Sequence, residues 1–157
     1  MALDKYYLNL AGEYRVCAEL LKRGILATVT FGNMKGADIV AVGANRRAAI
    51  VEVKAANSTR FVTKFYQRYK TPDAEHPTFW VLYSVRSDGE SFSDRFFILS
   101  HHELAEKQAK RNCADKPLSY LECVERFASG VDNVLLADVL EFEDKWQKII
   151  DWCSNAG

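Results

Sequence analysis

Three charged side chains interrupt a stretch of sequence that is otherwise typical of two buried strands. Residues 36–55 read GADIVAVGANRRAAIVEVKA, with Asp38 early in the first apolar run and Glu52 and Lys54 late in the second. Side chains two residues apart in a strand point to one face, so Glu52 and Lys54 share a face. If the two runs pair as a hairpin, Asp38 lies toward the same end, and the hairpin register decides whether it shares that face.

Two converging carboxylates indicate a cation site. They repel each other, and removing them from water adds to the cost. A divalent cation removes both penalties, and Mg²⁺ takes one or two carboxylates together with waters and substrate phosphates. Lys54 beside such an ion would hold an attacking water or stabilise charge on a phosphate. Asp38, Glu52 and Lys54 therefore predict metal-assisted phosphodiester hydrolysis; the alternative is a solvent-facing strand with a Glu52–Lys54 ion pair.

The elements that must position these side chains alternate between strands and helices. Hydrophobic periodicity predicts helices near 3–23, 59–70, 100–111, 118–128 and 138–153. Strands are predicted near 25–31, 37–42, 48–54, 78–85 and 94–100. This order predicts an α/β fold, with a mixed central sheet flanked by helices. A chain of 157 residues is expected to form one domain, with a core at about 3–111 and a helical extension at about 112–157.

The predicted helix at 59–70 carries a row of basic residues at four-residue spacing: Arg60, Lys64 and Arg68. An aromatic row lies one step around and is predicted to face the core: Phe61, Phe65 and Tyr69. A basic row without acidic neighbours can follow a phosphate backbone, although a solvated helical face is the alternative. Arg46 and Arg47, in the predicted hairpin turn, are weaker candidates for the same role.

The distribution of charge supports a polyanionic partner despite a net charge of zero. Residues 1–72 contain 12 Lys and Arg against 5 Asp and Glu, whereas residues 73–157 contain 9 against 16. The basic half includes the candidate site, and the acidic half is expected to face solvent or a protein partner. No apolar run is long enough to span a membrane, and no signal-peptide pattern begins the sequence, so we expect a cytoplasmic protein.

The run Asp38, thirteen residues, Glu52-Val-Lys54 resembles the PD-(D/E)xK nuclease superfamily, which includes restriction endonucleases and Holliday-junction resolvases. Gly12-Glu13 in the first helix is similar to the acidic residue that many members carry there. The resemblance covers roughly residues 8–100. Ala37 stands where the family name has proline, a departure that many members share. The resemblance implies a restriction-endonuclease-like three-layer core.

The resemblance also implies roles for individual residues. Asp38, Glu52 and the Val53 carbonyl would ligate Mg²⁺, for which Mn²⁺ is expected to substitute. Glu13 would be an auxiliary ligand of the metal or of water, and Lys54 would orient water or stabilise charge. Gln67 matches, without a fixed spacing, a glutamine that some members use.

The substrate implied by the resemblance is nucleic acid, DNA before RNA, and cleavage of both strands of a duplex would call for a homodimer. The alternative is a catalytically inactive adaptor or inhibitory subunit that keeps the fold. Such a subunit would bind a protein partner through its acidic C-terminal half.

Overall fold

A computed structural model describes residues 4–31, 36–112, 116–128, 130 and 132–155, so parts of the predicted C-terminal extension lie outside it. The strands are β1 (Leu26–Val29), β2 (Ile39–Val42), β3 (Ala48–Ala56), β4 (Arg60–Val62), β5 (Phe79–Ser87), β6 (Phe92–Ser100) and β7 (Asn133–Leu135). The helices are α1 (Lys5–Lys22), α2 (Phe65–Arg68), α3 (His101–Asn112), α4 (Tyr120–Arg126) and α5 (Gln147–Ser154). Two short 3-10 turns precede α5, at Leu136–Asp138 and Leu140–Phe142.

A five-stranded mixed sheet forms the centre of the fold, in the order β1-β2-β3-β5-β6. Strands β1, β2 and β3 pair antiparallel, as do β5 and β6. Strand β3 pairs parallel with β5, which requires a long crossover between them. That crossover contains β4, which pairs antiparallel with β7 in a separate two-stranded ribbon.

Each face of the sheet carries its own hydrophobic core, because alternate strand residues point to opposite sides. On one face, α1 and α5 pack against the strands, with Val16, Ile149 and Val51 among the buried residues. On the other face, Phe65, Leu104 and Trp80 join α2 and α3 to the sheet. The prediction of an α/β fold with a mixed sheet flanked by helices is therefore confirmed.

The predicted helix at 59–70 is wrong in most of its length. The segment forms strand β4 and then the single turn α2, and Lys64 between them has a left-handed backbone with φ 53°. Phe61 pairs with Val134, a partner so distant in sequence that local periodicity cannot reveal it. The aromatic row is nevertheless buried as predicted: Phe61, Phe65 and Tyr69.

The later predicted helices differ in how closely the structure follows them. Helix α3 begins, close to its predicted start, at a capping box in which the Glu103 amide donates to Ser100 Oγ and Glu103 Oε2 accepts from the Ser100 amide. The helix predicted at 138–153 is largely replaced by the two 3-10 turns, and α5 itself is short. Among the described residues, no helix combines the length and the apolar character that crossing a bilayer demands.

Candidate metal and phosphate site

The hairpin register places Asp38 across from Glu52. Ile39 pairs with Val51, and the Asp38 amide donates to the Val51 carbonyl at 3.1 Å. Asp38 is the next residue outward and lies just before β2 begins. Its Oδ2 accepts a hydrogen bond from the Val53 amide at 2.8 Å, so it occupies the pairing position that β2 leaves open. The two predicted carboxylates therefore meet on neighbouring strands.

Glu52 is the most enclosed charged group at this site, with 2% of its surface exposed. Its Oε1 lies 2.6 Å from Lys54 Nζ, which confirms the shared strand face, and it also accepts from Arg68 Nη1. Its Oε2 is buried and has no hydrogen-bond partner among the described residues. An ionised carboxylate with one unpartnered buried oxygen is costly, so this atom indicates a place for a further positive or donor group.

The electrostatics join Glu13 to the same cluster. Burial raises the pKa of Asp38, the Val53 amide lowers it, and the nearby Glu52 charge raises it. Burial also raises the pKa of Glu13, and Asp38 adds to this effect while Lys54 opposes it. Glu52 thus raises the pKa of Asp38, and Asp38 raises the pKa of Glu13, as expected for like charges in a partly desolvated site.

A close helix–sheet approach brings Glu13 to the cluster. A methyl group on Gly12 would lie 3.0 Å from Tyr83 Cδ1 and 3.1 Å from Ala55 Cβ, contacts that only glycine avoids. Helix α1 can therefore lie close to β3 and β5, and the next residue, Glu13, lines the same cleft as Asp38.

The oxygen donors present suit a hard divalent cation, although they are few. Within the described ranges, no three His, Cys, Asp or Glu side chains form a metal-binding group, so Glu13 does not complete a set with Asp38 and Glu52. The Val53 carbonyl is a further donor. The Ile50 carbonyl accepts from the Thr78 amide beside β5, so by strand alternation the Val53 carbonyl points the opposite way, past the end of β2. Two carboxylates and one carbonyl are compatible with Mg²⁺, which retains several waters.

Gly36 leaves space beside the unpartnered oxygen. Its φ of 83° favours glycine, and a methyl group there would lie 3.8 Å from Glu52 Oε2, 3.8 Å from Tyr69 Oη and 3.0 Å from Arg68 Nη2. The Tyr69 hydroxyl is also buried without a partner among the described residues. Two buried polar atoms, neither with a partner among the described residues, therefore lie near the same glycine.

Asp38, Glu52 and Lys54 line a cleft of about 730 Å³, and further basic residues line it as well. Arg60 and Lys64, predicted from the sequence, line it together with Lys5 of α1, which the sequence reasoning missed. Lys5 has no local signal of its role, since only the packing of α1 on the sheet brings it there. None of these three cations forms an ion pair within the described part of the chain, so all are free to bind phosphate.

Arg68 lines the cleft but differs from its prediction. Instead of continuing an exposed basic row, it turns inward and pairs with the buried Glu52. The Glu52 carboxylate raises the pKa of Arg68, against the effect of burial. Because α2 is one turn and not a long helix, Arg60, Lys64 and Arg68 do not share a helical face.

The other predicted contacts lie elsewhere. Arg47 stacks on the Trp152 ring at 3.6 Å, and Arg46 has a left-handed backbone in the turn between β2 and β3, at the end remote from Asp38. Gln67 donates to the Gly130 carbonyl at 2.5 Å. None of the three lines the cleft.

Comparison of the chain with models of known protein families, with curated proteins and with solved structures finds no match in any of the three.

Proposed function

We propose that this chain is a metal-dependent nuclease with a restriction-endonuclease-like core, acting on DNA in preference to RNA. The observation that carries the proposal is the meeting of Asp38 with a buried Glu52, whose Oε2 has no partner within the described ranges, at the floor of a cleft that Lys5, Arg60 and Lys64 line. A structural ion pair alone would need neither the second carboxylate nor the surrounding phosphate-binding side chains.

The residues present would divide the work. Asp38, Glu52 and the Val53 carbonyl would hold Mg²⁺ or Mn²⁺, which when bound supplies Lewis acidity and a more acidic water. Lys5, Arg60 and Lys64 would bind phosphates along the cleft and fix the position of the strand. Lys54 would stabilise the negative charge that grows on the phosphate as water attacks phosphorus and the bond to the leaving oxygen breaks. Glu13 would orient a water molecule or accept a proton from it, a role that its raised pKa suits.

The test is cleavage of supercoiled plasmid, single-stranded DNA and branched DNA with Mg²⁺, with Mn²⁺ and with a chelator. We expect Glu52→Gln and Lys54→Ala each to reduce cleavage at least about 100-fold, because each removes a charge used in the reaction. Glu19→Gln is the matched control: Glu19 is a buried carboxylate paired with Lys22 and Arg23, and it does not line the cleft.

Calorimetry with Mn²⁺ gives a readout independent of cleavage. Asp38→Asn and Glu52→Gln should weaken Mn²⁺ binding about tenfold or more, whereas Glu19→Gln should not. Cleavage that survives Glu52→Gln would contradict the site assignment.

A second candidate, an inactive adaptor with the same fold, is favoured by one observation. Lys54 and Arg68 already neutralise Glu52 Oε1, as in a closed structural ion pair. However, several acids of the second half pair internally and do not form an open acidic surface: Asp94 with Arg15, Asp138 with Arg111, and Glu143 with Arg95. Absence of cleavage on every substrate together with absence of Mn²⁺ binding would support the adaptor.

A further inference from the structure

A second cavity adjoins the cleft and has a different chemistry. Its volume is about 1010 Å³, and it shares Asn57 and Ser58, in the connection between β3 and β4, with the cleft. The first turn of α1 also borders both spaces, because Lys5 lines the cleft and Tyr7 lines the cavity. A chain molecule that follows the phosphate-binding cleft past these elements enters this cavity.

Two aromatic side chains at this cavity are left open to water. Tyr7 on α1 is 63% exposed and Phe92 at the start of β6 is 68% exposed, and both line the cavity. They belong to different elements, and neither side chain is part of either hydrophobic core. Exposed aromatic rings beside a cationic groove are the features with which proteins bind single-stranded nucleic acid, because every base has a face that stacks.

The other residues that line the cavity offer groups that can bind the base edge and the phosphate of a nucleotide. Asn57, Ser58 and Thr59 offer polar side chains, and Arg86 adds a positive charge. Asp4 is the one acidic residue among those lining the cavity, and its Oδ1 is occupied as the cap of α1, accepting from the Tyr6 amide at 2.7 Å. The cavity therefore offers one cation and several neutral polar groups, while its one carboxylate is held at the N-terminus of α1.

We infer that this cavity binds an unpaired nucleotide, so that the substrate of the proposed nuclease is nucleic acid with a single-stranded segment beside the cleaved phosphate. The inference rests on the proposed function for the cleft and specifies its substrate. Bases in an intact duplex are stacked on each other and cannot reach Tyr7 or Phe92. A single-stranded end, fork or flap can place a base there while its phosphates lie along Lys5 and Arg60.

The experiment measures binding by fluorescence anisotropy in a chelator, so that no cleavage occurs. The probes are a blunt duplex, the same duplex with a six-nucleotide overhang on either strand, and the isolated single strand, each as DNA and as RNA. We expect an overhang to tighten binding about tenfold or more over the blunt duplex. The double variant Tyr7→Ser/Phe92→Ser should lose this preference and keep its affinity for the blunt duplex.

Two controls separate stacking from folding. Tyr14→Ser removes an exposed tyrosine of the same helix that lines neither space, and it should keep the preference. Tyr7→Phe/Phe92→Tyr keeps both rings and should also keep it. The thermal unfolding midpoint of every variant checks that each is folded, which is expected because the substituted side chains are exposed.

The outcomes distinguish this inference from the proposed function. Equal affinity for blunt and overhang probes, or a preference that survives Tyr7→Ser/Phe92→Ser, overturns the inference, and cleavage of duplex plasmid by the same protein would leave the nuclease proposal standing. A preference that depends on both rings, combined with no cleavage under any metal, supports the cavity as a single-strand site and overturns the nuclease proposal. Absence of binding to every probe overturns both.

Discussion

His101 is a buried imidazole that its surroundings keep neutral. It stacks on His76 with the ring centres 3.9 Å apart, and its Nδ1 accepts a hydrogen bond from Trp80 Nε1 at 3.3 Å. Burial, assisted by the neighbouring His76 and His102, lowers the pKa of His101 from 6.5 to about 3. A proton on this ring would lie unpaired inside the aromatic cluster, which explains the direction of the shift.

The free energy of unfolding should therefore depend on pH through His101. As the pH falls below 6.5, the unfolded chain binds a proton at His101. The folded chain does not bind it until the pH reaches about 3, so stability decreases on acidification. Between these two pH values, His101 changes the free energy of unfolding by about 1.4 kcal/mol per pH unit. We expect His101→Phe to be less stable at pH 7 by about 1 kcal/mol, because Trp80 loses its acceptor, but to show a flatter pH dependence.

Urea unfolding at several pH values between 4 and 7 measures this slope. His102→Phe is the control, because His102 is the exposed neighbour of the same helix and the smallest of the three causes that lower the pKa of His101, so its removal should change the slope little. Identical slopes for the wild type and His101→Phe would contradict the argument.

At the residue scale, spacing alone predicted that Glu52 and Lys54 meet, whereas the position of Asp38 depended on the hairpin register. Glu52 and Lys54 share a face because strands have a period of two, and Asp38 joins them through the hairpin. The partnership of Arg68 with Glu52 could not be predicted in the same way, since it depends on where the crossover returns to the sheet. Lys5 likewise acquires its place only through tertiary packing.

At the scale of elements, Lys64 marks the boundary that the sequence pattern missed. The four-residue spacing of aromatic and basic residues is typical of a helix, yet Phe61 and Val62 are good strand formers and pair with a remote strand. Lys64 then takes a left-handed backbone before α2 begins. The sheet strands were predictable because their apolar runs are long, whereas β4 and β7 are each only three residues.

Two substitutions at Lys64 distinguish a helix from this turn. Glycine adopts the left-handed conformation without strain, whereas alanine does not, so Lys64→Gly should be more stable than Lys64→Ala by about 1 kcal/mol. A continuous helix at 59–70 would reverse the order by a similar amount, because glycine destabilises helix interiors. Both variants lose the same charge, so each is the control for the other in a denaturant titration.

At the scale of the whole molecule, a net charge of zero conceals an uneven distribution of charge along the sequence. The free cations of the cleft come from the basic half of the sequence, while acids of the second half pair with nearby lysines and arginines. The cleft therefore holds a local group of cations that the zero net charge does not reveal.

The salt dependence of nucleic-acid binding should report that surface. Replacing Lys5, Arg60 and Lys64 together by glutamine should reduce the slope of log affinity against log salt by about 2 to 3 on duplex DNA, because each phosphate contact releases about one counterion. The matched control replaces three exposed cations that do not line the cleft: Arg46, Lys110 and Lys145. An unchanged slope in the first variant would mean that Lys5, Arg60 and Lys64 are solvated and do not contact phosphate.

The pairing of β4 with β7 has a consequence for the order in which the molecule is completed during synthesis. The hairpin with Asp38 and Glu52 emerges early, but the strand that carries Arg60 finds its partner only after residues 133–135 have been made. Contacts so far apart along a chain form late, since a long loop must close first. The hairpin that carries the two carboxylates is therefore expected to form before the wall of the cleft that carries Arg60.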